Sequence, residues 1–364
     1  MKHGWLRRAL ILLIALGLCA GMFLYSREMP MEKSEPLRLW YVQGDCDGAA
    51  MESMIARCRK DTGLKIEVTS FTDESFLGTA FEGLEGRTFD SPDLLFCSHI
   101  RAARLDENGN LTEIAQPLPI SESLAGLRPA VGRSFFPMGS RLPVLLVNTA
   151  LTDGSFDSLE ALFSEAGESP FVGCDCWADF LYMLCAAEGI KLTGDSEQDL
   201  ADAHVAAVYN LLAQAVFRGG LTVQEPAVEY VRQGLLPCAV TMSTTLAGMT
   251  DKTLDVQLIP LQEGAQTHYA AELMGFALLE GADTAAAEIF FQWLWSGQGA
   301  VAAMDAGIAP IIRASDSGAG STIGRHLSAL TQNVPLFLPD GDEPFDENRD
   351  GLERWLREAL GLLT

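Results

Sequence analysis

The start of the chain alternates strand, helix, strand, helix, strand, and that order constrains its architecture more than any motif. "LRLWYV" (Leu37–Val42) is an apolar, aromatic run stopped by "QGDCDG", a turn rich in Gly and Asp. Ala49 to Asp61 then spaces Met51, Met54, Ile55 and Cys58 at helical intervals, and Gly63 follows as a C-cap. "LKIEVTSF" alternates as a second strand, Asp73 to Leu84 reads as an amphipathic helix, and "DLLFCS" is a third strand. Such an order predicts a parallel sheet covered by helices. In open sheets of this kind, ligands bind just beyond the carboxyl ends of the strands. The abrupt change from Leu94, Leu95 and Phe96 to Cys97, Ser98 and His99 therefore marks a candidate binding edge.

Further along, "RAARLDENGNLTEI" reads as a helix with a tight Asn-Gly turn, and Leu142 to Leu151 as a crossover strand. Helices are expected at Ser158 to Ala166, Trp177 to Glu188 and Asp199 to Phe217, and strands at Cys238 to Ser243 and Leu254 to Leu261. "AELMGFALLEG" is a strand running into a turn. Ala285 to Ser296 is a helix with Ile289, Phe290, Trp293 and Leu294 as its buried stripe, "SDSGAGSTIG" a loop, and Gly351 to Leu363 a terminal helix. At 364 residues the chain suits two lobes better than one core.

The first thirty residues stand apart. Lys2, Arg7 and Arg8 precede an apolar run of 17 residues, Ala9 to Tyr25, which is the pattern of an export signal. No small-x-small cleavage site follows, and Leu18 is too bulky for a lipoprotein signal ahead of Cys19. The expectation is a signal or membrane anchor over residues 1–30, a linker over 31–36, and an extracytoplasmic, membrane-attached remainder. With 49 acidic and 25 basic residues the net charge of -24 argues against nucleic-acid partners.

Eight cysteines include Cys46 and Cys58, which flank the first helix and are candidates for a bridge. Cys174 and Cys176 lack the spacing of a zinc knuckle, so no metal is assigned to them. Asp346, Asn348, Asp350 and Gly351 match half of a calcium loop, but Arg357 stands where the bidentate Glu belongs. There is no G-x-S-x-G, H-E-x-x-H, Walker or dinucleotide fingerprint, and His3, His99, His204, His268 and His326 show no ligand spacing. The reading is a binding protein with no catalytic residues, cofactor or metal.

"LRLWYV", "TGLKIEVTSF", "SPDLLFCS", "LDENGNLTEI", "LPVLLVNTAL", "VRQGLLPCAVTMS", "VQLIPL" and "GFALLEGADTAAAEIFFQWLWSGQGAVAAMDAGIAPI" follow one another in an order that resembles extracellular solute-binding proteins of ABC importers, carbohydrate type. The resemblance runs from about Leu37 to the C-terminus and rests on the collinear series, not on one motif. It implies a two-lobed α/β fold of the type II periplasmic-binding-protein kind, each lobe a mostly parallel sheet flanked by helices. Hinge strands near Arg141 to Asn148 and Ala271 to Phe276 would join the lobes. Lobe 1 would comprise residues 37–142 and 273–312, and lobe 2 residues 143–272 and 313–364. A small solute, sugar or oligosaccharide, would be held in the cleft and passed by a monomeric receptor to ABC permease subunits. A membrane-tethered sensor with no transport role is the alternative.

The residues expected at the cleft follow from where the strands end. Gln43 and Asp45 follow the first strand and offer acceptors to hydroxyls or to a cation, or simply form an Asp-Gly turn. Ser98 and His99 end the third strand, with an N-cap as the competing role for Ser98. Asp175 and Trp177 open a helix, where a carboxylate grips hydroxyls and a ring stacks on a sugar face, unless Trp177 is core. Arg141 and Glu272 lie at the hinges, and Ser243 and Thr244 end a strand of the second lobe.

Overall fold

The computed structural model describes residues 35–72, 77–78, 80, 91–115, 131–152, 171–187, 190–223, 226–263, 266–311, 321–331, 336–337 and 343–361. The signal or anchor expected over residues 1–30, and the helix expected at Ser158 to Ala166, lie outside the described residues. So do most of the helix expected at Asp73 to Leu84 and most of the loop "SDSGAGSTIG". Among the described residues no helix is long and apolar enough to cross a membrane.

The first layer opens with β1 (Leu37–Val42), α1 (Gly48–Thr62), β2 (Ile66–Phe71), β3 (Leu94–Ser98), α2 (His99–Glu107) and β4 (Phe135–Arg141). After Leu142 the chain enters β5 (Pro143–Asn148), β6 (Val172–Cys174), α3 (Trp177–Ala187), α4 (Ser196–Ala201), α5 (Ala203–Phe217), β7 (Leu221–Thr222), α6 (Ala227–Arg232) and β8 (Cys238–Met242). A single 3-10 turn, Ser243–Leu246, precedes β9 (Leu254–Leu258), β10 (Leu261–Glu263), β11 (Gln266–Ala270) and β12 (Glu272–Leu278). The chain ends with α7 (Thr284–Leu294), α8 (Gly297–Asp305), β13 (Ala309–Pro310), α9 (Thr322–Thr331), β14 (Leu336–Phe337) and α10 (Glu343–Gly361).

Two main sheets result. One is six-stranded in the order β13-β4-β12-β3-β1-β2, and the other five-stranded in the order β7-β6-β8-β5-β9. In the first, β1, β2, β3 and β4 run one way and β12 and β13 return. In the second, only β5 opposes its neighbours, because it enters directly from β4 without a crossover helix. The sheets are therefore mostly unidirectional, with the reversals concentrated on strands that carry the chain between them.

The inner strands of each sheet are buried on both faces, which explains why they read as continuous apolar runs, whereas the edge strand β2 alternates and is largely exposed. Along β1, Leu37, Leu39 and Tyr41 enter the core beneath α1 and α7, whereas Trp40 and Val42 enter the opposite one. In β5, Leu145 and Val147 join the core around α3 and α10, and Val144 and Leu146 the core around α6 and α9. The terminal helix begins at Glu343, earlier than Gly351, so the half-matched calcium sequence is helix and not a ligand loop. On α7 the buried face is Ala286, Ala287, Phe290, Phe291, Trp293 and Leu294. Ile289, expected in that stripe, is 45% exposed: the apolar surface of this helix is wider than one stripe, and packing chose the Phe291 side.

Cys46 and Cys58 form no bridge. The helix between them holds their ends about 15 Å apart at 1.5 Å per residue, far beyond disulfide reach. All seven described cysteines are buried, and none of them forms a disulfide.

The "GIAPI" corner after α8 is set by close packing. Gly307 has φ +70°, and a Cβ there would lie 2.2 Å from the Ser243 carbonyl oxygen. Gly351 lies within α10, with nothing within 4 Å of its would-be Cβ. Gly307→Ala is expected to lose about 2 kcal/mol through strain and clash. Gly351→Ala is expected to gain up to about 1 kcal/mol through helix propensity. Denaturant unfolding of the two variants should give opposite signs.

Candidate functional site

The carboxyl ends of β1 and β3, the β4–β5 and β11–β12 passages, and the first turn of α3 converge on one buried polar cluster. Its centre is a cross-strand pair. Arg141 ends β4 directly opposite Glu272 at the start of β12, so the guanidinium and the carboxylate extend from neighbouring backbones. Arg141 donates from Nε and Nη2 to Glu272 Oε2, each at 2.6 Å. Its Nη1 lies 3.5 Å from Asp45 Oδ1, and Arg101 Nη1 donates to Asp45 Oδ2 at 2.8 Å. The side chains of Asp45, Arg141 and Glu272 are each only 3% exposed.

Two more charged groups come from α3 and α10. Asp179, in the first turn of α3, lies 3.4 Å from Arg349 Nε of α10. α10 packs against α3 and also reaches α2. It is held down by Leu352, Leu356 and Leu360 in the core that contains Trp177 and Phe180. Glu353 Oε2 accepts from the Ala178 N–H at 2.6 Å, a carboxylate on the positive end of α3. The assembled cluster has three carboxylates (Asp45, Asp179, Glu272) and three guanidiniums (Arg101, Arg141, Arg349).

The electrostatics follow from that balance. Burial alone would raise the Asp45 pKa, but Arg101, Arg141 and Arg349 together hold it below the ordinary carboxylate value. Burial likewise opposes the charge on Arg141, yet Glu272, Asp179 and Asp45 keep its pKa above normal despite the repulsion of Arg349. Nearby, the Cys176 thiol is raised well above its usual value, first by its hydrogen bond with Cys174 and then by burial. Among the described residues no group of His, Cys, Asp and Glu is arranged to hold a metal.

The other residues expected at the site have structural employment. Ser98 caps α2, accepting from the Arg101 N–H at 3.3 Å. His99 Nδ1 accepts from the Leu273 N–H at 3.3 Å, which leaves the imidazole proton on Nε2. Ser243 Oγ accepts from the Leu142 N–H at 3.2 Å and is buried, as is Thr244 beside it. Gln43 is exposed at the rim, donating weakly to Ser70 at 3.4 Å. Asp175 accepts from the Ala227 and Val228 N–H groups at 2.7 and 2.9 Å, so both its oxygens anchor the start of α6. Trp177 is 0% exposed and belongs to the core, where it presents no ring face to a solute; stacking on a sugar is replaced by packing because α10 covers it.

Arg101, Asp179 and Arg349 were not singled out from the sequence. Arg349 stands within the very segment whose calcium half-match failed, and Asp179 only two residues past Trp177. Neither has a local signature, because what makes them polar partners is the docking of α10.

No family model and no curated protein matches the sequence. Solved structures do match, 751 chains in all, so the fold is in wide use and leaves ligand identity open. One is the ABC substrate-binding protein Lmo0181 from Listeria monocytogenes in complex with cycloalternan. It aligns with a TM-score of 0.65 at 12% identity, over 90% of this chain and 94% of that one. The chain has the two-lobed fold of a solute-binding protein. At this identity the likeness concerns the backbone, and the side chains of the cleft are this chain's own.

Breaking the central cluster has a predictable pH signature. Asp45→Asn leaves Arg101 and Arg141 short of a counter-charge and is expected to cost about 3 kcal/mol at pH 7. Because the folded pKa of Asp45 lies below its unfolded one, its contribution is complete above about pH 4 and disappears as pH falls below that. The stability gap between wild type and variant, measured by urea unfolding from pH 7 to pH 3, should therefore narrow only below about pH 4.

Proposed function

We propose that this protein is the extracytoplasmic substrate-binding component of an ABC importer, capturing a small, neutral, hydroxyl-rich solute between its lobes. The observation that carries the reading is the buried cluster at the cleft. It draws side chains from both ends of the fold, and its charges cancel. Such a site is polar but carries no net charge, which suits sugar hydroxyls better than a polyamine. The overall charge of -24 is then a property of the outer surface and not of the site. The oligosaccharide held by the structurally similar Listeria protein supports the same ligand class.

In this reading the lobes are residues 37–142 with 273–312, and 143–272 with 313–364. They hinge where β4 passes into β5 and β11 into β12. Asp45, Arg141 and Glu272 form the floor of the cleft, and Gln43, Ser98, His99, Asp175, Trp177, Ser243 and Thr244 line or brace it. Ligand stabilises the closed form by its difference in affinity for the closed and open states. A monomeric receptor held at the membrane by its N-terminal segment delivers the solute to the permease, and no bond is made or broken.

Thermal unfolding against glucose, maltose, maltotetraose, cycloalternan, spermidine and glutamate tests this. A ligand at a hundred times its dissociation constant adds about 2.7 kcal/mol, a shift of several degrees. The expected result is a shift with at least one saccharide, accompanied by compaction in solution scattering. A shift with spermidine alone, or turnover of a saccharide, would overturn the reading.

A further inference from the structure

We propose that Asp179 and Arg349 are the second lobe's grip on the ligand, and that the group they hold is a pair of neighbouring hydroxyls on an uncharged sugar. The proposal rests on the receptor reading above and deepens it. Its starting point is an imperfection. Asp179 is 7% exposed at its side chain, yet its Oδ1 accepts no hydrogen bond among the described residues. The nearest cation, Arg349 Nε, stands 3.4 Å away, beyond the 2.6 and 2.8 Å of the Arg141–Glu272 and Arg101–Asp45 contacts. Buried polar atoms are nearly always satisfied, and an exception calls for a reason. A carboxylate held within ion-pair range but out of hydrogen-bond alignment is open to an inserted donor.

Accessibility separates Arg349 from the rest of the cluster. Arg349 retains 21% side-chain exposure, whereas Arg141, Asp45 and Glu272 are closed off at 3%. Its charge is felt by both Asp45 and Arg141, and that of Asp179 by Arg141, so the pair lies within electrostatic range of those residues. Both members are rigidly mounted. Glu353 ties α10 to the first turn of α3 through the Ala178 N–H, and Asn348 Nδ2 donates to the Thr193 carbonyl at 3.1 Å. A preorganised pair loses little freedom when a ligand arrives.

Charge bookkeeping then selects the ligand class. Three carboxylates already balance three guanidiniums, so a cationic or anionic solute would bring an unmatched charge into a buried site, where desolvation opposes it. A hydroxyl pair brings none. One hydroxyl donates to Asp179 Oδ1 while the oxygen of its neighbour accepts from the Arg349 guanidinium, and each side chain keeps its charge.

Calorimetric titration of the full-length chain and of Asp179→Asn and Arg349→Gln with glucose, galactose, maltose and maltotetraose tests the assignment. Each substitution is expected to weaken saccharide binding tenfold or more while the ligand-free variant still unfolds in one cooperative transition, so that lost affinity is read on folded protein. Monodeoxy analogues of the tightest sugar supply the readout that a bracing role would leave unmoved. At least one should bind wild type tenfold more weakly than the parent sugar, and Asp179→Asn should abolish that discrimination. If wild type binds a saccharide and both variants bind it within twofold, the grip lies elsewhere and the receptor reading stands. Tighter binding of galacturonate or spermidine than of any neutral sugar overturns the ligand class. If wild type binds no saccharide, both the proposal and the reading fall.

Discussion

The cross-strand pair of Arg141 and Glu272 is the contact on which the site depends. It sits where β4 ends and β12 begins, and therefore where the chain leaves the six-stranded sheet for β5 and returns to it from β11 of a three-stranded sheet in the order β10-β11-β14. Ions this deeply buried are tolerable only when every charge has a close partner, because desolvation otherwise outweighs their attraction. Arg141 meets that condition by engaging Glu272 and Asp45, and Asp45 by engaging Arg101 as well. The consequence is positional. The turn after β1, the first turn of α2 and both sheet-to-sheet passages are drawn to one point.

The terminal helix completes this arrangement from the other side. Its apolar face, Leu352, Leu356 and Leu360, is buried in the core around α3, and its polar face carries Arg349 and Glu353 to the first turn of that helix. Core packing and polar contacts are thus divided between faces of one amphipathic element. Docking of α10 also explains why Trp177 is a core residue. An indole at the start of a helix beneath a sheet edge is well placed for a ligand only until another helix covers it.

Other polar residues near the strand ends serve the backbone. Ser98, Asp175 and Ser243 each satisfy N–H groups that the ends of helices and strands leave without partners. Strand ends in an α/β sheet are rich in polar side chains for this reason as much as for binding, and residue type alone does not separate the two uses. Asp45 and Asp175 illustrate the point: both are aspartates in the loop after a parallel strand, one in a buried ion cluster and one capping a neighbouring helix.

The sequence by itself determined β1, α1, β2, β3 and α2 in order, and later β5, α3, α5, β8, β9, β12, α7 and α10, because apolar runs bounded by Gly, Asp and Pro are local signals read within a few residues. It also made the doubly buried strands legible, since β1 and β5 send alternate apolar residues into two cores. β4 was not legible: "FFPMGSR" mixes aromatic residues with Pro and Gly, and it holds as a strand only because β12 and β13 pair on either side of it. The membership of the polar cluster was decided by tertiary structure alone. Asp45, Arg101, Arg141, Asp179, Glu272 and Arg349 come from every quarter of the chain, and no periodicity links them. Ion pairing depends on the distance between side chains in space and on the water excluded around them, and both quantities exist only once the sheets have formed and α10 has docked.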